Sequence, residues 1–283
     1  MKPFYLFILL SFPILLFSCG ENEEKQTPSG GENEVAYSPG RDREIQNYKL
    51  EEQKKQVGKR FPCDTLALKE FVLSHYSEGT YLVDFDQTLT YNIPEAAVIY
   101  PENFPGYIFC IIAKSKSGER FIEPENIIGY NASYIDLDST KLGTAFFYLV
   151  LVHCDENKFS VVWESIIPSH GWFNTFSINN WDYNNTPYIR VNFHYAQGIG
   201  HIDYNYFLLN GLTSPPHLLM TYKGINFMRR IINYNNDKYP DYYEYVYLDS
   251  GKKVTEIDSI PFYWNPSRNV YVNKQNLKLT RPY

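Results

Sequence analysis

The sequence has few cysteines and histidines, and it has no excess of positive charge. It contains 4 Cys and 6 His, and 26 Lys and Arg against 32 Asp and Glu give a formal net charge of −6. No Cys-x-x-Cys pair and no Cys/His spacing typical of zinc sites occurs, so the common structural zinc modules are excluded. The basic residues form no stripe, and we therefore expect no nucleic-acid partner.

The first apolar run covers residues 4–17. It is too short to cross a membrane and is typical of a signal peptide. It ends in Leu16-Phe17-Ser18-Cys19-Gly20, which resembles the lipobox of bacterial lipoproteins. The resemblance implies a signal peptide over residues 1–18, cleavage before Cys19 and acylation of Cys19, for example with palmitate. The alternative is an ordinary signal peptide followed by a chance cysteine.

Residues 19–58 are rich in Glu, Lys, Gln, Asn, Gly and Ser. Such a segment cannot bury enough apolar surface to offset its ordering entropy, so we expect a disordered tether. A charged helix over residues 41–59 is the alternative, although it would have no convincing apolar face. The acidic cluster directly after Cys19 resembles the surface-export signal of some Gram-negative outer-membrane lipoproteins. We expect lipid anchoring in the cell outer membrane, with exposure at the cell surface or in the periplasm left open.

The folded domain is expected over residues 59–283, and it should be all-β apart from one short helix. Asp64–Tyr76 predicts that helix, because Asp64 can cap it and Leu68 and Val72 lie on one face. From Thr80 onward, runs of β-branched and aromatic residues alternate with turn signals. The predicted strands are Tyr81–Phe85, Ala96–Tyr100, Tyr107–Ala113, Ala145–His153, Phe159–Glu164, Tyr188–His194, Asn205–Leu209, Tyr242–Leu248 and Pro261–Trp264.

Polar turns that feed apolar strands recur about every 50 residues. Their leading residues are Asp84, Asp136, Asp182 and Asn233. A period near 50 with three or four strands per unit is typical of β-propellers and related arrays. The sequence therefore predicts a propeller-like array of four to five β-meander repeats, closed into a ring or open as a fan.

The fourth turn has the most regular spacing of side-chain oxygens, at Asn233, Asn235, Asp237 and Asp241. Calcium takes six to eight oxygen ligands, and alternate positions of a tight turn can supply them. The turn resembles the calcium loops of FG-GAP and VCBS-type propeller repeats, although Lys238 replaces the usual Gly. The resemblance implies a weak calcium site at these four residues. The alternative is a set of Asx turns that bind their own backbone, which we favour for the other three turns.

Catalytic chemistry has one motif in its favour. Asp84 and Asp86 resemble the D-x-D-x-T motif of haloacid-dehalogenase-type phosphatases, which implies a nucleophile and an acid/base. That chemistry needs a parallel strand with helices around it, and no βαβ alternation occurs here. Glu164 with His194 and His201 could be imagined as a metal site, but no recognised ligand spacing supports it.

Aromatic and polar side chains in loops suggest a recognition surface instead, because rings stack on sugars or peptides and polar groups fix their orientation. The candidate binding residues are His170, Trp172, Asn174, His201 and Tyr204. Trp172 and Tyr204 could equally be core residues. We expect a non-catalytic binding or scaffold module of the cell envelope, with a glycan, peptide or envelope-protein ligand. The alternatives are an envelope hydrolase, acting on a phosphoester or a carbohydrate, and a purely structural lipoprotein.

Three cysteines remain after lipidation: Cys63, Cys110 and Cys154. In an oxidising compartment one disulfide can form and one thiol is left over. All three could equally be buried and reduced.

Overall fold

The computed structural model describes residues 39–83, 96–115, 145–168, 172–195 and 200–283. In these ranges helix α1 covers Pro39–Gln56 and helix α2 covers Thr65–His75. The strands are β1 (Thr80–Leu82), β2 (Val98–Ile99), β3 (Tyr107–Ser115), β4 (Ala145–Asp155), β5 (Lys158–Ile167), β6 (Trp172–Trp181), β7 (Thr186–Tyr195), β8 (Gly200–Phe207), β9 (His217–Lys223), β10 (Met228–Ile232), β11 (Asp241–Asp249), β12 (Val254–Asn265), β13 (Val270–Asn273) and β14 (Thr280–Arg281). Neither helix in the described ranges is long and apolar enough to cross a membrane.

The strands form two antiparallel sheets. In the first sheet the order is β1-β3-β4-β5, and β2 also pairs with β3. The second sheet is a nine-stranded meander in which β6 to β14 pair in chain order. The described part of the chain is mostly β, as the sequence predicts, with two helices beside the sheets. The propeller arrangement is not confirmed, because blades are separate small sheets, whereas here nine consecutive strands share one sheet.

Strands β3 and β4 are apolar on both faces, as expected of strands covered on two sides. Phe109, Ile111, Leu149 and Leu151 face the second sheet and form a core with residues of β7 and β8. Their neighbours, such as Ile108 and Val150, point the other way and pack against α2. The first sheet is therefore the middle layer between α2 and the second sheet.

Helix α2 forms where the sequence predicts it. Asp64 Oδ1 accepts a hydrogen bond from the Ala67 N–H at 2.7 Å and caps the helix. Leu68 and Val72 are buried against the first sheet. Just before the helix, Cys63 forms a disulfide with Cys154 at the end of β4, while Cys110 is free and buried. Of the two alternatives given by the sequence, the structure therefore contains one disulfide and one free thiol.

Helix α1 lies where the sequence predicts a tether, and the structure differs from that expectation over Pro39–Gln56. Leu50 is 5% exposed, although it has few apolar neighbours in its own helix. Polar contacts also hold α1 against α2: Lys54 pairs with Glu70, and Lys69 Nζ donates to Gln53 Oε1 at 2.9 Å. Because polar contacts hold α1 against α2, this helix does not need a continuous apolar face.

Each of the nine predicted strands overlaps an observed strand, with shifted ends. Five observed strands, β6, β9, β10, β13 and β14, were not predicted from the sequence. Strand β6 contains Asn174, Ser177, Asn179 and Asn180, which are uncommon in strands. It forms because β7 supplies nine registered partners.

The third polar turn is the hairpin loop between β6 and β7. Asn184 and Asn185 have φ values of 57° and 48° there. Asparagine tolerates this left-handed region better than most residues. This turn therefore has a conformational role, in agreement with the Asx-turn interpretation of the third copy.

Candidate functional site

Strand β7 shows how the second sheet acquires one apolar and one polar face. Ile189, Val191 and Phe193 are buried in the core between the sheets. The alternate residues of β7 point to the opposite side because successive side chains of a strand alternate. We call that side of β6–β9, away from the first sheet, the polar face; its polar members include Asn174, Thr175, Ser177, Arg190, Asn192, His194, His201, Asp203, Asn205, Thr221 and Lys223. The same side also carries Trp181, Phe207 and Leu219, which belong to a buried apolar cluster with residues of β11, β12 and β13.

The strand register assembles the polar face in rows. Trp172, His194, His201 and Lys223 occupy registered positions on four adjacent strands. The next row contains Thr175, Asn192, Asp203 and Thr221, and the third contains Ser177, Arg190, Asn205 and Leu219. Residues as far apart in the chain as Trp172 and Lys223 fall in the same row in this way.

A β-bulge adds Asn174 to the polar face. The register of β6 and β7 shifts between Phe173 and Thr175, so Asn174 is an extra residue opposite Asn192. Bulges redirect side chains in this manner. Asn174 Nδ2 donates to Asn192 Oδ1 at 2.6 Å, and Asn192 Nδ2 donates to Asp203 Oδ1 at 2.6 Å. These bonds fix an amide–amide–carboxylate chain across three strands.

A second polar pair continues the network toward β9. Asn205 Nδ2 donates to Thr221 Oγ1 at 3.0 Å and to the Leu219 carbonyl at 3.1 Å. Asn205 is only 1% exposed, and Asn192 is 6% exposed. Buried amides that are held by such bonds are rigid, so the half-buried groups next to them are held in place as well.

Burial and a neighbouring imidazole act together on the pKa of His194 on the polar face. The rings of His194 and His201 have centroids 4.4 Å apart. Burial lowers the pKa of His194, and the nearby charge of His201 lowers it further. Burial raises the pKa of Asp203, whereas the hydrogen bond from Asn192 acts in the opposite direction.

The structure places the five predicted binding residues in different environments. Asn174 and His201 lie on the polar face, and His201 is half-buried. Trp172 begins strand β6 and was wrongly placed in a loop. Tyr204 is 1% exposed in the core between the sheets, so its assignment to the binding surface was wrong and its core alternative is right. His170 lies outside the described residues, as do Cys19, Asp84, Asp86 and Asp136.

The imagined metal site of Glu164, His194 and His201 is not formed. Glu164 is registered with Val150, whose side chain packs toward α2. Its carboxylate accepts from Tyr76 Oη at 2.6 Å and pairs with Lys114 Nζ at 2.5 Å. The two histidines lie on the far side of the second sheet, so both sheets separate them from Glu164. In the described part of the chain, no group of three His, Cys, Asp or Glu side chains is arranged to hold a metal.

The predicted calcium loop is occupied by its own hydrogen bonds. Asn235 Oδ1 accepts from the Asp237 N–H at 3.1 Å, and Asp237 Oδ1 accepts from the Tyr239 N–H at 2.7 Å. Both bonds are Asx-turn bonds. Asn233 Oδ1 is buried without a partner. The loop therefore has the hydrogen bonds of an Asx-turn loop in this structure, and calcium binding at these four residues stays a prediction.

Asp241 secures the same loop to the sheet. It is 0% exposed, and its Oδ2 accepts from the Tyr234 and Asn235 N–H groups at 2.9 and 3.4 Å. Its Oδ1 accepts from the Trp264 N–H on β12 at 2.9 Å. Burial raises the pKa of Asp241 to about 7, while the hydrogen bond from Trp264 favours the charged carboxylate. The role of this residue is therefore structural.

Arg190, Asn192, Asp203 and Thr221 were not identified as site residues from the sequence. The only signal was the alternation within the predicted strand Tyr188–His194, which puts Arg190 and Asn192 on a non-core face. No family model, curated protein or solved structure matches this chain. What the polar face can bind therefore follows from its own side chains, which offer hydrogen-bond donors and acceptors on a rigid sheet.

Proposed function

We propose that this protein is a lipid-anchored module of the bacterial cell envelope, and that it binds its ligand through the polar face without catalysis. One observation carries the proposal: amide, carboxylate, hydroxyl and imidazole groups are gathered on one side of four adjacent strands, apart from the core between the sheets. Core packing does not require such a set. Fixed polar groups on a rigid scaffold are typical of recognition sites.

Two further observations support a location in the cell envelope. The sequence Leu16–Gly20 has the pattern of a lipobox, and the Cys63–Cys154 disulfide fits an oxidising compartment. An outer-membrane location, at the cell surface or facing the periplasm, agrees with both. Weak calcium binding at Asn233, Asn235, Asp237 and Asp241 stays a prediction from the sequence.

A phosphatase is less well supported. Asp84 and Asp86 lie outside the described residues, but the strand just before them, β1, pairs antiparallel with β3. Every strand pairing within the described ranges is antiparallel. The phosphatase motif needs a parallel sheet around its first aspartate.

The binding role predicts that Asp203→Asn weakens ligand retention at least tenfold. The substitution keeps the shape of the side chain but removes an acceptor oxygen from the end of the Asn174–Asn192–Asp203 hydrogen-bond chain, which holds the polar groups of this face in place. Detergent-solubilised full-length protein would be immobilised, and its retention of fluorescently labelled envelope fragments from Gram-negative cells would be measured. Asp258→Asn, at an exposed position of β12, is the matched control and should bind like wild type. Equal retention by both variants, with circular dichroism unchanged, would refute a role of the polar face.

The anchor predicts that Cys19→Ser abolishes lipidation. The serine hydroxyl cannot form the thioether that holds the lipid. Cells of a Gram-negative host that express the full chain would be labelled with radioactive palmitate and then fractionated. Wild type should carry label in the outer-membrane fraction, and Cys19→Ser should carry none. Label that persists in Cys19→Ser would rule out this residue as the anchor, and protease treatment of intact cells would then locate the labelled wild-type domain.

A further inference from the structure

Arg190 is the least satisfied charged group on the polar face. Its guanidinium makes no hydrogen bond or ion pair with the described residues, and its Nε is buried without a partner. Nδ1 of His194, four residues along the same strand, is also buried without a partner. A buried polar atom that lacks a partner costs free energy, so two of them on one face of one strand need an explanation. A bound acceptor group would satisfy the arginine.

The charges around Arg190 favour an anion. Asp203 is the single carboxylate among the polar members named for this face; it accepts a hydrogen bond from Asn192, and burial raises its pKa while the charge of Arg190 lowers it. Arg190 and exposed Lys223 give this face two fixed positive charges against that one negative charge, whereas the whole chain has a formal net charge of −6. Arginine is well suited to this role, because its planar guanidinium can bind a carboxylate through two parallel hydrogen bonds.

The remaining groups favour a polyhydroxylated ligand over a peptide. Amides and hydroxyls both donate and accept hydrogen bonds, as sugar hydroxyls do. Asn174, Thr175 and Ser177 are half-buried polar side chains on β6, the strand next to the arginine, and Ser177 is registered with Arg190. Peptides are usually held by a free strand edge or by pockets for alternate side chains, and the arginine lies on β7, which is paired on both sides.

We propose that the polar face binds an acidic oligosaccharide, with a uronate-type carboxylate on Arg190 and hydroxyls along the amide rows toward His194. Arg190 and His194 are separated by roughly 13 Å along β7, at about 3.3 Å per residue, which is room for more than one sugar unit. This inference rests on the binding role proposed above and specifies the chemistry of the ligand.

The test is an array on which acidic oligosaccharides, their carboxyl-reduced counterparts and acidic peptides are immobilised, probed with detergent-solubilised full-length protein. We expect binding to an acidic oligosaccharide that weakens at least tenfold when its carboxylates are reduced, and that weakens as salt rises. Arg190→Gln should lose this binding at least tenfold. Arg230→Gln, which removes an exposed arginine from β10 of the same sheet, should leave it unchanged.

Each other outcome overturns the inference in a distinct way. Equal binding of reduced and acidic sugars would show a glycan site without a role for the carboxylate, and the proposed binding function would survive. Binding of acidic peptides alone would assign the face to a protein partner. Binding of nothing on the array, together with retention of envelope fragments by wild type and not by Asp203→Asn, would leave the binding function intact and exclude acidic glycans. Should Arg190→Gln fail to fold, the comparison of reduced with acidic sugar on wild type decides the matter alone.

Discussion

Replacing Asp241 by alanine is expected to destabilise the protein by roughly 4 kcal/mol, because three backbone N–H groups, one buried and two partly buried, lose their acceptor. Those donors belong to Tyr234, Asn235 and Trp264, and Asp241 itself is 0% exposed. A buried donor without a partner costs about 1–3 kcal/mol. Urea unfolding followed by tryptophan fluorescence would measure the loss, and Trp264 reports on the affected strand directly.

Two variants make this prediction specific. Asp241→Asn keeps one acceptor oxygen in the same position, so a smaller loss of about 1–3 kcal/mol is expected, and it provides a folded variant if Asp241→Ala does not fold. Asp249→Ala is the matched control at the other end of β11, where the carboxylate belongs to an exposed residue and accepts from the Gly251 N–H. Equal stability of Asp241→Ala and Asp249→Ala would contradict the anchoring role.

Removing the disulfide is expected to destabilise the folded state by roughly 4 kcal/mol, since the bond closes a long loop in the unfolded chain. Cys63 and Cys154 are 91 residues apart in sequence, and their Cα atoms are 6.0 Å apart in the structure. The link joins the start of α2 to the end of β4, where the Cys63 N–H also donates to Asn157 Oδ1 at 2.6 Å. Urea unfolding of the double variant Cys63→Ser/Cys154→Ser would measure the effect.

Reductant supplies the control for the disulfide. Wild type in dithiothreitol should lose stability to about the level of the double variant, and the double variant itself should not respond to dithiothreitol. Cys110 is buried and unpaired in both proteins, so its contribution cancels. A wild-type unfolding midpoint that does not move with reductant would show that the bond adds nothing to stability.

The sequence indicated a recognition surface, but it identified only a few of the residues that form the polar face. Asn174 and His201 were predicted as binding residues because of their amide and imidazole groups. Asp203 and Thr221 look like ordinary polar residues until β8 and β9 align them with Asn192. The bulge at Asn174 depends on pairing between β6 and β7, and no local pattern indicates it.

Local physics by itself determined the elements. The cap at Asp64 and the spacing of Leu68 and Val72 were enough for α2, because a helix depends on contacts within a few residues. The alternation of Tyr188–His194 was enough for a strand with one buried face. The Asx-turn chemistry of the loops also follows from side chains that bond to neighbours two residues away.

Only the tertiary structure decided how these elements combine. It placed Tyr204 in the core, paired Cys63 with Cys154, packed α1 on α2 and joined nine strands into one sheet instead of separate blades. Such outcomes depend on which strands pair and in what register, and that choice is made by contacts between residues far apart in the chain. Alternation along a strand determines which of its side chains share a face. The partner strands decide which face is buried and which residues lie beside it.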